Sequence, residues 1–200
     1  MVRAPFQRRR SVGVLWSFKG GPATVDAATA YERHAREFLR GRDRSSIGAD
    51  VVRRWARGLP RGAEVMEIAC GGGYPVTREL VDAGLDVWAI DSSSTLVSEF
   101  RSRFPGVPIR CESVQDNDFF ARTFDGAVAV GLLFLLPAPE QAAVFAQVAD
   151  ALVPGGLFLF TAPKEPLLLE EAGLRILDTY EDEGKNNYYV TEKLGSNGKQ

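Results

Sequence analysis

At residues 65–75 the chain reads Val65-Met66-Glu67-Ile68-Ala69-Cys70-Gly71-Gly72-Gly73-Tyr74-Pro75, and no other segment says as much about its fold. The apolar run at 65–69 is typical of a buried strand, and it contains one acidic residue, Glu67. Three glycines follow, and Pro75 suits the first position of a helix. A strand, a glycine turn and a helix N-terminus let backbone N–H groups approach a ligand closely.

A second apolar strand, Val87-Trp88-Ala89-Ile90, ends at Asp91, twenty residues after Gly71. A carboxylate at the end of the second strand can accept hydrogen bonds from both hydroxyls of a ribose. The two segments together predict a nucleoside-binding site on a doubly wound α/β sheet.

The rest of the chain alternates between strand and helix patterns, which predicts a parallel sheet with crossover helices. The last two strands have so short a link that they must form a hairpin. We therefore expect a Rossmann-like, doubly wound, seven-stranded sheet, mostly parallel with an antiparallel C-terminal strand, plus N-terminal helices. The predicted strands are 65–69, 85–90, 107–111, 124–130, 157–162, 174–180 and 187–194. The predicted helices are 27–39, 47–57, 75–83, 95–104, 139–152 and 165–172, with a helical turn within 116–121.

Two classes of nucleoside ligand fit this pattern, and the glycine spacing separates them. A dinucleotide-binding turn has the form G-x-G-x-x-G. Read from Gly71, the third glycine position is occupied by Val76, so the dinucleotide pattern is incomplete. A nucleotide-dependent oxidoreductase is disfavoured for this reason.

The run from Glu67 to Gly73 resembles the first motif of the class I S-adenosylmethionine-dependent methyltransferases, an acidic residue followed by x-G-x-G-x-G. Ala69 stands at the first glycine of that motif, and Gly71 and Gly73 stand at the second and third. The alanine leaves slightly less room for backbone approach and does not remove the turn. Asp91 matches the ribose-binding acid of the family.

The resemblance extends over residues 45–194. Residues 112–114 follow the third predicted strand, where the family contacts adenine, residues 124–131 resemble its fourth strand, and residues 152–160 resemble its L-x-P-G-G turn into the fifth. The resemblance implies S-adenosyl-L-methionine as the cofactor. With the first-helix candidate Tyr31, the expected cofactor-binding residues are Tyr31, Glu67, Ala69, Gly71, Gly73, Asp91, Ser92, Ser113, Val114, Gly131 and Leu132.

The resemblance carries over no fixed catalytic residue. Tyr31 and His34 lie one helical turn apart on the first predicted helix, and they are weak candidates to cover the cofactor and shape the acceptor pocket. Helix packing and a solvent-exposed face are the alternative interpretation. Glu67 lies inside an apolar strand, where an unpaired charge is costly. We expect it to hold the glycine loop and to reach the amino group of the cofactor.

Composition fits one soluble globular domain: 200 residues, 45% hydrophobic and 25% charged. No apolar run is long enough to span a bilayer, and the N-terminal arginines and short apolar stretch do not complete a signal peptide. A cytoplasmic location without membrane attachment is therefore expected. His34 is the only histidine, which excludes a multi-histidine metal site, and no metal is expected. Cys70 and Cys111 are predicted to be structural thiols, and the acidic residues 181–183 a solvated turn.

Charge is unevenly distributed along the chain. Residues 1–60 carry 13 basic and 5 acidic residues, a balance of +8, whereas residues 61–200 carry 11 and 21, a balance of −10. A basic segment can bind an anionic partner such as RNA, or it can pack against the acidic domain. The net charge of −2 does not favour a dedicated nucleic-acid binder.

The sequence divides into a leader and lid helix at 1–46, a core domain at 47–194 and a flexible tail at 195–200. Only Pro163-Lys164-Glu165-Pro166 separates the fifth strand from the last predicted helix, so the substrate cap that family members often insert there is missing. We expect residues 1–46 to close over the methyl group with Tyr31 facing the cofactor. A second subunit of a homodimer is the alternative source of a cover.

The expected function is transfer of a methyl group to an oxygen, nitrogen or sulfur nucleophile, most simply of a small molecule. RNA or a protein side chain is the alternative acceptor, in view of the basic leader and the missing cap. A cofactor-binding regulatory protein without activity is the alternative of another class.

Overall fold

The structure is a computed structural model in which residues 27–163 and 169–195 are described. Its strands are β1 (Glu64–Ile68), β2 (Asp86–Asp91), β3 (Ile109–Cys111), β4 (Phe124–Ala129), β5 (Leu152–Thr161), β6 (Leu174–Glu181) and β7 (Asn187–Lys193). Its α-helices are α1 (Ala27–Arg42), α2 (Ala49–Ala56), α3 (Val76–Asp82), α4 (Ser94–Arg103) and α5 (Ala138–Ala151). Short 3₁₀ turns lie at Val114–Asp116, Phe119–Ala121 and Leu133–Leu135.

The strands form one seven-stranded sheet in the order β3-β2-β1-β4-β5-β7-β6. Strands β1 to β5 are parallel, and β7 lies antiparallel between β5 and β6. This confirms the predicted fold class. The chain changes direction across the sheet between β1 and β4, and ligands of such sheets bind at the carboxyl ends of the strands near this point.

Both faces of the sheet are covered, which explains why its central strands are continuously apolar. Met66, Phe158 and Phe160 pack with α5 on one face. Val65 and Leu159 point to the other face, where they pack with α2 and α3. Within the described residues, no helix is both long and apolar enough to cross a bilayer.

Several predicted boundaries differ from the observed ones. Helix α1 continues three residues beyond the predicted end, to Arg42. Strand β3 is shorter than predicted and begins only after Pro108, which has no N–H to donate to a ladder. The predicted turn at 116–121 becomes two separate 3₁₀ turns.

Some predictions fall outside the described residues. The predicted helix at 165–172 lies partly in 164–168, which are not described, and the residues just after them form turns. Most of the predicted leader, residues 1–26, and most of the predicted tail, residues 196–200, also lie outside the described part of the chain. The domain division therefore stays a prediction.

Candidate functional site

A cleft with a volume of about 1320 Å³ opens at the carboxyl ends of the parallel strands. Segments that follow β1, β2, β3 and β4 form its floor. The C-terminal end of α1, the α1–α2 connection and the β6–β7 hairpin form its walls. Single-ligand pockets hold roughly 300–1000 Å³, so this cleft has room for more than one small molecule.

The glycine turn after β1 consists of residues in left-handed backbone conformation. Ala69, Gly71 and Gly73 have φ values of 57°, 58° and 86°. An alanine in this conformation costs roughly 1–2 kcal/mol, which gives a physical reason for the glycine that the family motif has at position 69. The turn keeps its shape despite the alanine.

Each of the three glycines is in close contact with a neighbouring helix. A Cβ atom on Gly71 would lie 3.1 Å from the Phe38 ring of α1, and one on Gly72 would lie 2.3 Å from Leu39. A Cβ atom on Gly73 would lie 2.3 Å from the Phe104 ring, at the end of α4. Gly71 lines the cleft, whereas Gly72 and Gly73 pack against helices and do not.

Asp91 ends β2 beside the glycine turn and is buried. Its Oδ2 accepts a hydrogen bond from the Gly71 N–H at 2.8 Å, and its Oδ1 accepts one from the Ser93 N–H at 2.9 Å. Burial raises the pKa of Asp91, and the two backbone hydrogen bonds oppose that rise. An ionised carboxylate has about four acceptor positions, so about two remain for a ligand in the cleft.

Glu67 is buried in β1 and faces α3. The Thr77 hydroxyl donates to its Oε2 at 2.6 Å. Burial raises the pKa of Glu67 to about 8; the hydrogen bond from Thr77 and the charge of Arg42 oppose the rise, and the charge of Asp91 adds to it. Glu67 therefore holds the first turn of α3 and exchanges a proton near neutral pH.

Most of the residues predicted from the family motifs line the cleft together. They are Glu67, Ala69, Gly71, Asp91, Ser92, Ser113, Val114, Gly131 and Leu132. The Ser113 hydroxyl donates to Asp116 at 2.6 Å, and the Gly131 N–H donates to the Thr161 hydroxyl at 2.8 Å. These bonds fix the loops after β3 and β4.

Three predicted residues lie elsewhere or are not described. Gly73 packs on Phe104, as described above. The His34 side chain is 51% exposed on the outer side of α1, with its Nδ1 3.9 Å from Glu37, and it does not line the cleft. Tyr31 belongs to α1, but its side chain is outside the described part of the structure, so its predicted position over the cofactor is not described.

Two polar contacts that fix α1 on the core were not predicted. Glu32 accepts hydrogen bonds from the Ser93 hydroxyl and from the Thr95 hydroxyl, the latter at 2.6 Å. These bonds, the one from Ser93 foremost, lower the pKa of Glu32 to about 2. Ser93 also caps α4 by accepting from the Leu96 N–H.

The second contact lies just after the C-terminal end of α1. Asp43 pairs with both terminal nitrogens of Arg103, at 2.6 and 2.9 Å, in a bidentate arrangement. Arg103 also donates to Glu99 at 2.8 Å and to the Gly72 carbonyl at 3.4 Å. This arginine therefore links the end of α1 to α4 and to the glycine turn.

The β6–β7 hairpin brings Gly184, Asn186 and Tyr188 to the cleft. Contrary to the predicted solvated turn, Asp182 is buried, because it accepts hydrogen bonds from the Gly184 and Asn186 N–H groups, both at 2.9 Å. A Cβ atom on Gly48 would lie 2.1 Å from the Tyr188 hydroxyl, so the hairpin packs closely on the start of α2. The described residues contain no cluster that could hold a metal ion.

Comparison with known proteins identifies relatives of this fold and sequence. Residues 65–156 match a family model described as a methyltransferase domain. The ubiquinone biosynthesis O-methyltransferase of Xanthomonas axonopodis pv. citri (strain 306) is 36% identical over 117 residues, which are 56% of this chain and 48% of that protein. The chain thus spans about half the length of this curated relative.

Two solved structures share the fold at low sequence identity. A TehB-like SAM-dependent methyltransferase from Corynebacterium glutamicum superposes with a TM-score of 0.66 at 18% identity, over 83% of this chain and 99% of that one. The magnesium protoporphyrin IX methyltransferase of Synechocystis PCC 6803, with bound SAM, gives 0.62 at 17% identity, over 88% and 87%.

The matched segment begins in β1 and ends in the turn of β5, so it contains both the glycine turn and Asp91. The glycine turn is the segment on which the dinucleotide and methyltransferase interpretations differed. The chain is therefore similar to methyltransferases in sequence over this segment, and it shares the fold of solved methyltransferase structures.

Proposed function

We propose that the protein binds S-adenosylmethionine in the cleft and transfers its methyl group to an oxygen, nitrogen or sulfur atom of a small molecule. The observation that carries this proposal is the Asp91 carboxylate. It is buried, fixed by the Gly71 and Ser93 N–H groups, and retains acceptor capacity where the cleft passes the glycine turn. Those properties suit a ribose diol, whose two hydroxyls are donors.

We assign the adenosine half of the cofactor to the β2–β3 end of the cleft. Asp91 accepts from the ribose, with Ser92 beside it, and Ser113 and Val114 contact the base. Val114 is buried and supplies an apolar surface, while the Ser113 hydroxyl is held by Asp116. Gly71 has no side chain, so the cofactor can approach its backbone closely. A side chain at this position would contact the Phe38 ring.

We assign the methionine half to the space between Glu67 and the loop at Gly131 and Leu132. Glu67 is buried, and one of its carboxylate oxygens is held by Thr77. A cationic amino group beside it would favour its ionised form, which burial disfavours. Gly73 and His34 receive no role in this assignment, because neither lines the cleft.

When bound, the cofactor supplies a methyl group on a positively charged sulfur, which departs as a neutral thioether. The protein residues then have to align the acceptor and keep water away. Phe38 of α1 packs against the glycine turn, and Tyr188 of the hairpin lines the cleft. A general base is needed only when the acceptor must lose a proton, and no residue is assigned that role.

A small acceptor is favoured over RNA or a protein because walls stand on two sides of the cleft. Helix α1 is fixed by Glu32 and Asp43, and the hairpin is fixed against Gly48. An acceptor must fit between these walls together with the cofactor, which suits a compact molecule.

The test is a calorimetric titration with S-adenosylhomocysteine and NAD side by side. We expect S-adenosylhomocysteine to bind in the low-micromolar range or somewhat more weakly, and NAD not to bind. Preferential binding of NAD would contradict the proposal. Transfer of an isotopically labelled methyl group to any acceptor would then eliminate the alternative of an inactive regulatory protein.

A further inference from the structure

Four arginines form a line along α1 and the turn that follows it. Arg33, Arg36 and Arg40 are spaced three and four residues apart, which places them on one face of the helix, and Arg44 follows four residues later. We call these four residues the arginine stripe. All four side chains are exposed, and none makes an ion pair or hydrogen bond with a described residue.

The arginine stripe ends at the cleft, because Arg40 and Arg44 line it. Arg42 lies between them and also lines the cleft, and its charge acts on both Glu67 and Tyr188. The cleft is therefore positive on the side where α1 ends.

The negative groups of the cleft lie mainly at its other end. Glu112 and Asp116 follow β3, and Glu140 belongs to the first turn of α5. The hairpin carries Asp182 and Glu183. Asp182 accepts hydrogen bonds from backbone N–H groups of its own loop, and Glu183 is exposed. The exceptions are these two hairpin acids and Glu37 of α1, which lines the cleft near His34.

The start of α1 lies against the residues that follow β2, whereas its end leads into the α1–α2 connection, which packs on the hairpin. β2 and β3 lie on one side of β1, whereas β4, β5 and β7 lie on the other. The proposed function, on which this inference rests, places the cofactor at the β2–β3 end. The end between α1 and the hairpin is then left for the acceptor, with Ile47, Asn186 and Tyr188 on its walls.

We propose that the methyl acceptor carries a carboxylate or phosphate group, which Arg40 and Arg44 hold at the rim of the cleft. Exposed guanidinium groups that pair with no described residue suit this role, because their planar donors match carboxylate and phosphate oxygens in pairs. Arg33 and Arg36 extend the positive field outward and speed the approach of an anion. Leu132 and Phe134 offer apolar surface to the remainder of the acceptor.

The charge distribution favours a small anion over a nucleic acid. The arginine stripe covers eleven residue steps, about 16 Å along a helix, which is a narrow surface for a polyanion. Beyond it, residues 61–200 carry a net charge of −10 and repel an extended chain of phosphates. A single carboxylate or phosphate contacts the stripe without meeting that repulsion.

The experiment compares anionic and neutral versions of the same nucleophile, by calorimetry on full-length protein saturated with S-adenosylhomocysteine. The pairs are 4-hydroxybenzoate with 4-hydroxybenzamide, 3-aminobenzoate with 3-aminobenzamide, and 3-mercaptobenzoate with 3-mercaptobenzamide. 4-Hydroxyphenyl phosphate tests the phosphate form. We expect at least one anion to bind at least tenfold more tightly than its neutral partner, with the preference weakening as salt is added.

The double variant Arg40→Gln/Arg44→Gln should lose this preference while its affinity for S-adenosylhomocysteine stays within twofold. Arg57→Gln/Arg61→Gln is the matched control, because both of those arginines are exposed and lie outside the cleft. The control should behave as the wild type does.

The inference is wrong if no anion binds more tightly than its neutral partner, or if the double variant keeps the preference. A ten-nucleotide single-stranded RNA is included as a further probe. Binding of that RNA through the arginine stripe, with no binding of the small anions, would assign the surface to nucleic acid and overturn the proposal. Failure of S-adenosylhomocysteine to bind the wild type is a separate result, which contradicts the proposed function itself.

Discussion

Glu67 is a carboxyl group in a place where its ionised form is costly. It is buried where β1 faces α3, lines the cleft, and among the described residues receives a hydrogen bond from Thr77. Its pKa of about 8 in the folded protein lies above the ordinary value of 4.5. Because the folded state holds this proton more tightly than the unfolded state, the contribution of Glu67 to stability is full below pH 4.5 and is lost as pH rises through 8.

We predict that Glu67→Gln removes this part of the pH dependence. The amide mimics the protonated acid and still accepts from Thr77. Between pH 5 and pH 9 the wild type should lose about 3–5 kcal/mol of unfolding free energy relative to the variant, as the size of the pKa rise implies. Urea unfolding of both proteins across that range measures the difference. The exposed Glu171→Gln is the control, and parallel curves for wild type and Glu67→Gln would refute the prediction.

Asp91→Ala should weaken S-adenosylhomocysteine binding by about 1.5–3 kcal/mol, because charge-assisted hydrogen bonds to the ribose are lost. Calorimetric titration measures the change. Asp86→Ala is the matched control, since Asp86 is exposed at the opposite end of the same strand. Unchanged affinity in Asp91→Ala would remove the ribose assignment.

At the scale of elements, the glycine turn is the point where the first strand, α1 and the cleft meet. Gly71 has φ = 58° and touches the Phe38 ring. A valine there would be strained by this backbone conformation and would displace α1 or block the cleft. Gly71→Val should therefore abolish cofactor binding.

The fold of Gly71→Val should remain largely intact, because the strands pair through residues outside the turn. Circular dichroism and calorimetric titration with S-adenosylhomocysteine measure the two effects. Gly106→Val is the control, since no atom lies near the corresponding position on that glycine. Normal binding by Gly71→Val would mean that the cofactor lies elsewhere.

Local patterns in the sequence predicted most elements, because strands, helices and the glycine turn depend on neighbouring residues. The contacts that fix α1 were not predictable in this way. Glu32 meets Ser93 across 61 positions and Asp43 meets Arg103 across 60, and no periodicity links such distant residues. Phe119, Phe120 and Ala121 have left-handed φ values from 49° to 60°. The sequence did not predict this conformation, because none of these residues is a glycine.

The part of the candidate site that was predictable consists of residues at or just after the ends of strands. Asp91 and Ser113 follow a strand and line the cleft. The place of the β6–β7 hairpin at the cleft was not predicted. The acidic residues of the turn do not reveal that Asp182 is buried and accepts a hydrogen bond from its own loop. Gly73 matched the motif, yet its neighbour is Phe104.

At the scale of the whole molecule, a basic helix rests on an acidic domain through polar contacts near its two ends and apolar contacts of Phe38 and Leu39. Glu32 is bound near the start of the described side chains of α1, and Asp43 just after its end. We propose that α1 is the described part of a lid that is less ordered when the cleft is empty.

We predict that amide hydrogen exchange of residues 27–46 slows when S-adenosylhomocysteine is added. Glu32→Gln should speed exchange of α1 without cofactor, because the amide loses the charge that accepts from Ser93 and Thr95. Deletion of residues 1–46 should leave a folded sheet with weakened cofactor affinity and no turnover. If the exchange rates do not change when the ligand is added, and the protein without residues 1–46 turns over normally, then the site is open or is completed by a second subunit.

The position of β7 has a consequence for synthesis of the chain. Among the seven strands of this sheet, β7 is the last to emerge from the ribosome, yet it lies inside the sheet, between β5 and β6. Until it arrives, β5 presents an unpaired edge with the sequence Leu157-Phe158-Leu159-Phe160. Such an edge pairs readily with other chains. The nascent protein is therefore most exposed to aggregation just before β7 closes the sheet. The same strand brings Tyr188 to the cleft.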